Sequence, residues 1–186
     1  MRVIAGKAKG RALVSPEGIN TRPITAKIKE ALFSIWQMQI ADSRFLDLFS
    51  GSGSIGIEAI SRGAKKVVFV EKDRKAICVI KKNLARCKFT EGYEVYQDDV
   101  FKRIGWLAEK GYMFDIIYLD PPFTIDKIFL PVMECLSNAG LLEKDGCIAI
   151  RTRREKELPD KIGFLCRFKL KNYGISSVHF FRRAES

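Results

Sequence analysis

The chain has 186 residues, 47% of them hydrophobic and 30% charged, which fits one ordinary domain with its own core and excludes a disordered segment. No apolar run approaches the roughly 20 residues that cross a bilayer, and the start, Met1-Arg2-Val3-Ile4-Ala5-Gly6-Lys7, has no apolar stretch of signal-peptide length, so a cytoplasmic protein without membrane attachment is expected. The net charge of +11 is unevenly placed, with +6 in residues 1–29, −1 in 30–150 and +6 in 151–186, and basic flanks of this kind suit contact with a polyanion.

Residues 1–22 hold Gly6, Gly10, Pro16 and Gly18 between short β-prone pieces at 2–5 and 11–14, which predicts a small hairpin-like extension. From 25 to 38, Ile28, Leu32, Ile35 and Trp36 recur at helical spacing. Strands and helices then alternate. Strands are predicted at 45–49, 66–70, Tyr93–Gln97, Phe114–Leu119 and 147–150, and helices at 54–62, 74–88, 100–110 and 126–138. Such alternation argues for a parallel sheet covered on both faces. Residues 164–171 and 177–182 look like a closing antiparallel hairpin around Tyr173-Gly174. The expected fold class is α/β: a Rossmann-like, mostly parallel sheet of six or seven strands with an antiparallel C-terminal hairpin and a small N-terminal β extension. Five cysteines without a C-x-x-C pair, and one histidine, read as reduced thiols, and no metal is expected.

Two motifs carry chemistry. Asp47-Leu48-Phe49-Ser50-Gly51-Ser52-Gly53-Ser54-Ile55-Gly56 follows the first strand and opens a helix, where a glycine-rich turn lets a cofactor approach the backbone. Glu71 ends the next strand, placed to accept from both hydroxyls of a ribose. Asp47 stands where a pyrophosphate-binding loop usually keeps apolar residues. S-adenosyl-L-methionine (SAM) has no phosphate and a positive amino acid end, so it tolerates and uses an acid there.

The second motif, Asp120-Pro121-Pro122-Phe123, ends the apolar strand Phe114–Leu119 at the carboxyl edge of the sheet. An exocyclic amino group of a base is a poor nucleophile, because its lone pair is delocalised into the ring. A carboxylate (Asp120) and a rigidly held carbonyl (Pro121) that accept its two N–H bonds orient it for attack. Phe123 offers a face on which the extruded base can stack. An acid at position 120 suits guanine, whose N1–H and N2 amino group are adjacent donors.

The whole chain resembles the RsmD family, bacterial methyltransferases that modify guanine N2 in 16S ribosomal RNA. The matching pieces are Arg2-Val3-Ile4-Ala5-Gly6-Lys7 with Lys9-Gly10-Arg11, Arg22-Pro23-Ile24-Thr25, Lys29-Glu30-Ala31-Leu32-Phe33, Leu46 to Gly53, Phe69-Val70-Glu71-Lys72-Asp73 and Leu119 to Phe123. The glycine loop and the Asp-Pro-Pro-aromatic turn occur in many amino-methyltransferases, whereas the N-terminal pieces are specific. Phe123 stands where the family more often has Tyr, which keeps stacking and removes a hydroxyl contact. The resemblance implies SAM as cofactor, an N-terminal extension (1–24) that helps to hold RNA, and a methyltransferase domain (25–186).

The expected site residues are accordingly Asp120, Pro121, Pro122 and Phe123 for catalysis. Thr25, Asp47, Phe49, Gly51, Gly53, Glu71, Lys72, Asp99 and Asp120 are expected to hold SAM, and Arg2, Lys7, Lys9, Arg11 and Arg22 to hold RNA. The expected partner of this monomer is ribosomal RNA, free or in an assembled or partly assembled small subunit. Asp99 reads equally as an acceptor for the adenine of SAM or as a helix N-cap. His179, Trp36 and Trp106 read as packing residues, and Arg151-Thr152-Arg153-Arg154 is more basic than the resemblance explains. Three other functions compete. An adenine-N6 methyltransferase on RNA or DNA shares the turn. An NAD-dependent oxidoreductase shares the glycine loop and Glu71. A non-catalytic RNA-binding module needs neither.

Overall fold

A computed structural model describes residues 1–16 and 24–184; Arg22 and Pro23 lie outside them. Helix α1 (Ala26–Ile35) precedes β1 (Arg44–Leu48), and α2 (Ser54–Ser61), β2 (Lys66–Glu71), α3 (Arg74–Arg86), β3 (Tyr93–Gln97), α4 (Val100–Glu109), β4 (Phe114–Leu119), α5 (Phe129–Ala139) and β5 (Leu142–Arg153) follow in alternation. The chain closes with β6 (Lys161–Ile162), β7 (Leu165–Tyr173) and β8 (Ser176–Arg183). These form one sheet in the order β3-β2-β1-β4-β5-β8-β7-β6. The pairs from β3 to β5 are parallel, and those of β5 with β8, β8 with β7 and β7 with β6 are antiparallel.

The central strands are apolar without alternation because both faces are covered. One core joins α1, α2 and α3 to one face, with Phe45, Phe69 and Tyr118 turned toward them. The other joins α4 and α5 to Leu46, Val68 and Ile117. Trp36 is fully buried among Phe33, Phe45 and Tyr118, each edge-on to it. Trp106 is only half-buried, with the cations of Arg103 and Lys110 over its ring. His179 is buried in β8, its Nδ1 3.0 Å from an Arg167 nitrogen and its Nε2 3.2 Å from Thr152 Oγ1. Burial, then the Arg167 charge, push its pKa down to about 4. It is therefore neutral near pH 7, and because Arg167 can only donate, the ring proton sits on Nε2.

The sheet has eight strands rather than six or seven. The added strand, β6, is two residues long. Strand β5 also begins at Leu142, where Leu142 pairs with Phe114 ahead of a register shift, rather than at Cys147. The helix expected from Asp126 opens as a 3₁₀ turn, Asp126–Ile128, and becomes α-helical at Phe129.

The N-terminal extension forms a hairpin with one antiparallel bridge, Arg2 to Ala12. It is fastened by buried groups of α2 and α3. The Glu58 carboxylate accepts from Ile4 N at 2.8 Å and Ala5 N at 3.0 Å, and pairs with Lys29 Nζ at 3.1 Å and Arg62 Nε at 2.9 Å. Lys29 Nζ also donates to Arg2 O at 2.7 Å. Gly6 lies so close to α2 that a Cβ there would sit 1.8 Å from Ser61 O. Asn83 of α3 exchanges hydrogen bonds with Val14 and donates to Ser52 O at 3.0 Å, tying the extension to the glycine loop.

Candidate active site

Strands β1, β2 and β4 are parallel neighbours, so their C-terminal ends lie side by side. The loop after β1, Glu71 at the end of β2 and the turn after β4 therefore converge. Asp120 N donates to Leu48 O at 3.3 Å, which joins the turn to the glycine loop. The loop itself is knitted by the buried Ser50, whose hydroxyl donates to Asp47 O at 2.6 Å and accepts from Val70 N at 3.1 Å. Phe49, Gly51 and Gly53 have φ of 58°, 55° and 74°, left-handed values that are costly for Phe49, which carries a Cβ. Gly56 has another reason to be glycine: a Cβ would lie 2.2 Å from the Phe69 ring, so only glycine lets α2 pack this closely on β2.

Together these elements line a cavity of about 880 Å³. Of the expected cofactor residues, Asp47, Phe49, Gly51, Glu71, Lys72, Asp99 and Asp120 are on its wall, as are Pro121, Pro122 and Phe123. Gly53 and Thr25 are not. Gly53 sets the backbone at the start of α2, and Thr25 caps α1, accepting from Ile28 N at 3.3 Å. Asp99 caps α4, as one of its two readings has it, and it also lines the cavity. Arg2, Lys7, Lys9 and Arg11 are exposed on the extension, away from the cavity wall. Met1, Ser15, Pro16, Ile24 and Arg151 also line the wall. Sequence reasoning missed these, because only the three-dimensional docking of the extension and the β4–β5 register bring them there.

The electrostatics are acidic. Asp47 is buried, with Oδ2 accepting from Gly56 N at 2.9 Å. Burial pushes its carboxyl well above the usual range; the Gly56 N–H opposes this, and Asp120 and Glu71 add to it. Glu71 accepts from Gly51 N and Asp73 N, each at 2.9 Å, and so braces the loop it faces. Burial also raises the Asp120 pKa, opposed chiefly by Arg151, whose Nε donates to Oδ1 at 2.8 Å. The buried Tyr118 phenol beneath is pushed well up, first by burial and then by Asp120, and stays protonated. Ser54 Oγ, buried on the cavity wall, has no hydrogen-bond partner among the described residues.

Several carboxylates and an orphaned hydroxyl around a glycine loop fit a phosphate-free, cationic nucleoside cofactor such as SAM. They do not fit a pyrophosphate, which the same acids would repel. In the turn, Pro122 O accepts from Ile125 N at 3.1 Å, whereas Pro121 O accepts from no backbone N–H among the described residues. No three His, Cys, Asp or Glu side chains among the described residues are grouped to hold a metal, and no helix there is long and apolar enough to cross a membrane.

A family model described as "Conserved hypothetical protein 95" matches residues 1–182. YlbH of Bacillus subtilis, assigned as an rRNA methyltransferase, is 38% identical over 98% of this chain and 99% of its own. Ribosomal RNA small subunit methyltransferase D of Escherichia coli K12 is 33% identical over 86% of this chain and 78% of its own. Among solved structures, the candidate methyltransferase yhhF of Escherichia coli superposes with a TM-score of 0.85 at 26% identity, covering 100% of this chain and 99% of the other.

Proposed function

The chain belongs to the RsmD family and is a methyltransferase, and from this premise we propose that it transfers a methyl group from SAM to the exocyclic N2 amino group of a guanine in small-subunit (16S) ribosomal RNA. The observation that carries the reading is the meeting, in one acid-lined cavity, of the glycine loop with Glu71 and the turn Asp120–Phe123. SAM supplies a methyl group activated on a sulfonium. Glu71 would hold the ribose, and Asp47, Ser54 and the loop backbone the cationic amino acid end. A positive ligand beside Asp47 offsets the burial that raises its pKa, so binding favours the ionised carboxylate.

Asp120 and Pro121 O would accept from the target amino group and orient its lone pair toward the methyl carbon. Phe123 would stack against the base. The amino N–H becomes acidic only as the N–C bond forms, and Asp120 is then in place to take its proton. The RNA would be held by the basic ends, with Arg2, Lys7, Lys9 and Arg11 exposed on the extension (1–24) beside the domain formed by 25–186. Ribosomal subunits are made in the cytoplasm, which is where the protein would act. The test is tritium transfer from labelled SAM to small-subunit particles lacking the modification, followed by digestion to nucleosides. Label in N2-methylguanosine supports the proposal. Label in N6-methyladenosine would replace it by the adenine reading, and transfer from labelled NADH by the oxidoreductase one.

A further inference from the structure

Strand β5 runs past the turn, and one of its side chains reaches the turn directly. Leu119 pairs with Ile150 in the parallel β4–β5 register, so Asp120, the first residue past β4, lies beside Arg151, which is still paired with Val178 of β8. Arg151 Nε donates to Asp120 Oδ1 at 2.8 Å, and its guanidinium carbon lies 5.0 Å from the centroid of the Phe123 ring. The Arg151 side chain is 7% exposed against 22% for Asp120. The arginine therefore lies beneath the two groups that meet the base.

We propose that Arg151 is a positioning residue, which fixes one oxygen of Asp120 and backs the Phe123 ring, so that the remaining acceptor capacity of the carboxylate and the ring meet the target base in one geometry. This rests on the methyl-transfer reading above. A guanidinium suits the task, because its planar fork donates within its plane while its face lies on an aromatic ring. A carboxylate oxygen accepts more than one hydrogen bond, so the bond to Arg151 leaves Asp120 able to accept from the substrate. Arg151 also keeps Asp120 in its accepting form. The Asp47 carboxyl from β1 and the Tyr118 phenol from β4 face Asp120, with Glu71 of β2 beyond Asp47 and Arg153 and Glu155 on the cavity rim. Burial favours a protonated Asp120, which would offer the amino group an O–H where it needs an acceptor; the Arg151 charge is the chief opposing influence.

Removing a cation beside a carboxyl raises its pKa, so the low-pH limb of activity must move to higher pH. The test compares wild type, Arg151→Met and Arg151→Lys, with thermal melting and SAM calorimetry to establish that each is folded. One readout is the ¹³C carboxyl resonance of Asp120, titrated in the free protein. The other is the single-turnover rate against pH, at saturating SAM, on small-subunit particles from cells lacking the gene. Arg151→Met should keep SAM affinity within about twofold, move the Asp120 titration and the acid limb up by about one unit or more, and slow transfer roughly tenfold at neutral pH. Arg151→Lys should restore the titration but only part of the rate, because an ammonium restores the charge and not the flat support of the ring. If Arg151→Met does not fold, the titration and rate of Arg151→Lys decide. A folded variant of either kind with the wild-type acid limb and rate overturns the proposal. If wild type transfers no methyl group while the Asp120 titration responds as described, the methyl-transfer reading fails and the ion pair stands.

Discussion

Replacing Asp120 by Asn alters the proposed acceptor with the least change of shape. The side-chain oxygen can still accept from Arg151 Nε, which now stands 2.8 Å from Oδ1. The other position becomes an NH₂ that points a donor at the donors of the target amino group. The charge opposite Arg151 is also lost in a site where Arg151 is 7% exposed. Breaking a fully buried pair costs about 3–5 kcal/mol. Here Asp120 is 22% exposed and the hydrogen bond survives, so we expect a stability loss of roughly 1–2 kcal/mol, small enough for assay at 25 °C. The rate should suffer far more, because losing one preorganised electrostatic group costs about 10²–10³ in the chemical step. Single-turnover transfer at saturating SAM isolates that step from binding. SAM affinity by calorimetry should be nearly unchanged. Near wild-type single-turnover rates in Asp120→Asn would refute the reasoning and make the turn purely structural.

Three further outcomes are expected. Glu71→Ala should weaken SAM binding by about 1–3 kcal/mol; unchanged calorimetric affinity would remove the ribose assignment. Glu58→Gln leaves Lys29, 2% exposed, without its counter-charge, and should cost about 3–5 kcal/mol, or roughly 6–20 °C in melting temperature for a chain of this size. Adding Lys29→Met should recover part of that loss, and a melting curve unmoved by Glu58→Gln would show that the extension is held by other contacts. Replacing Lys7, Lys9 and Arg11 together by Ala should weaken RNA binding and flatten its dependence on salt, leaving SAM affinity alone; an unchanged salt slope would place the RNA elsewhere.

Much of this was legible in the residues. The largely apolar strands β1, β2 and β4, each joined to the next strand by a helix, announce a sheet covered on both faces, and the chemistry sits where parallel strands must end together. That is why Asp47, Glu71 and Asp120 could be grouped before any coordinates. Elements set by tertiary pairing were harder to read. Glu143, Lys144 and Asp145 look like a turn, and they belong to β5 only because Leu142 pairs with Phe114 across a register shift. A two-residue strand such as β6 leaves no periodic signal. Arg151 was visible as an unexplained basic residue, but its partner follows only from the β4–β5 register. Thr25 sits within a piece that resembles the family, yet its local chemistry, a hydroxyl ahead of an amphipathic helix, is that of a cap.

The most direct measurement of the central claim is quantitative mass spectrometry of nucleosides from 16S ribosomal RNA, comparing cells with the gene, cells without it, and deleted cells carrying wild type or Asp120→Asn. The account predicts that N2-methylguanosine falls on deletion, returns with wild type and does not return with Asp120→Asn, while N6-methyladenosine is unchanged throughout. An N2-methylguanosine level that is the same with and without the gene would contradict it.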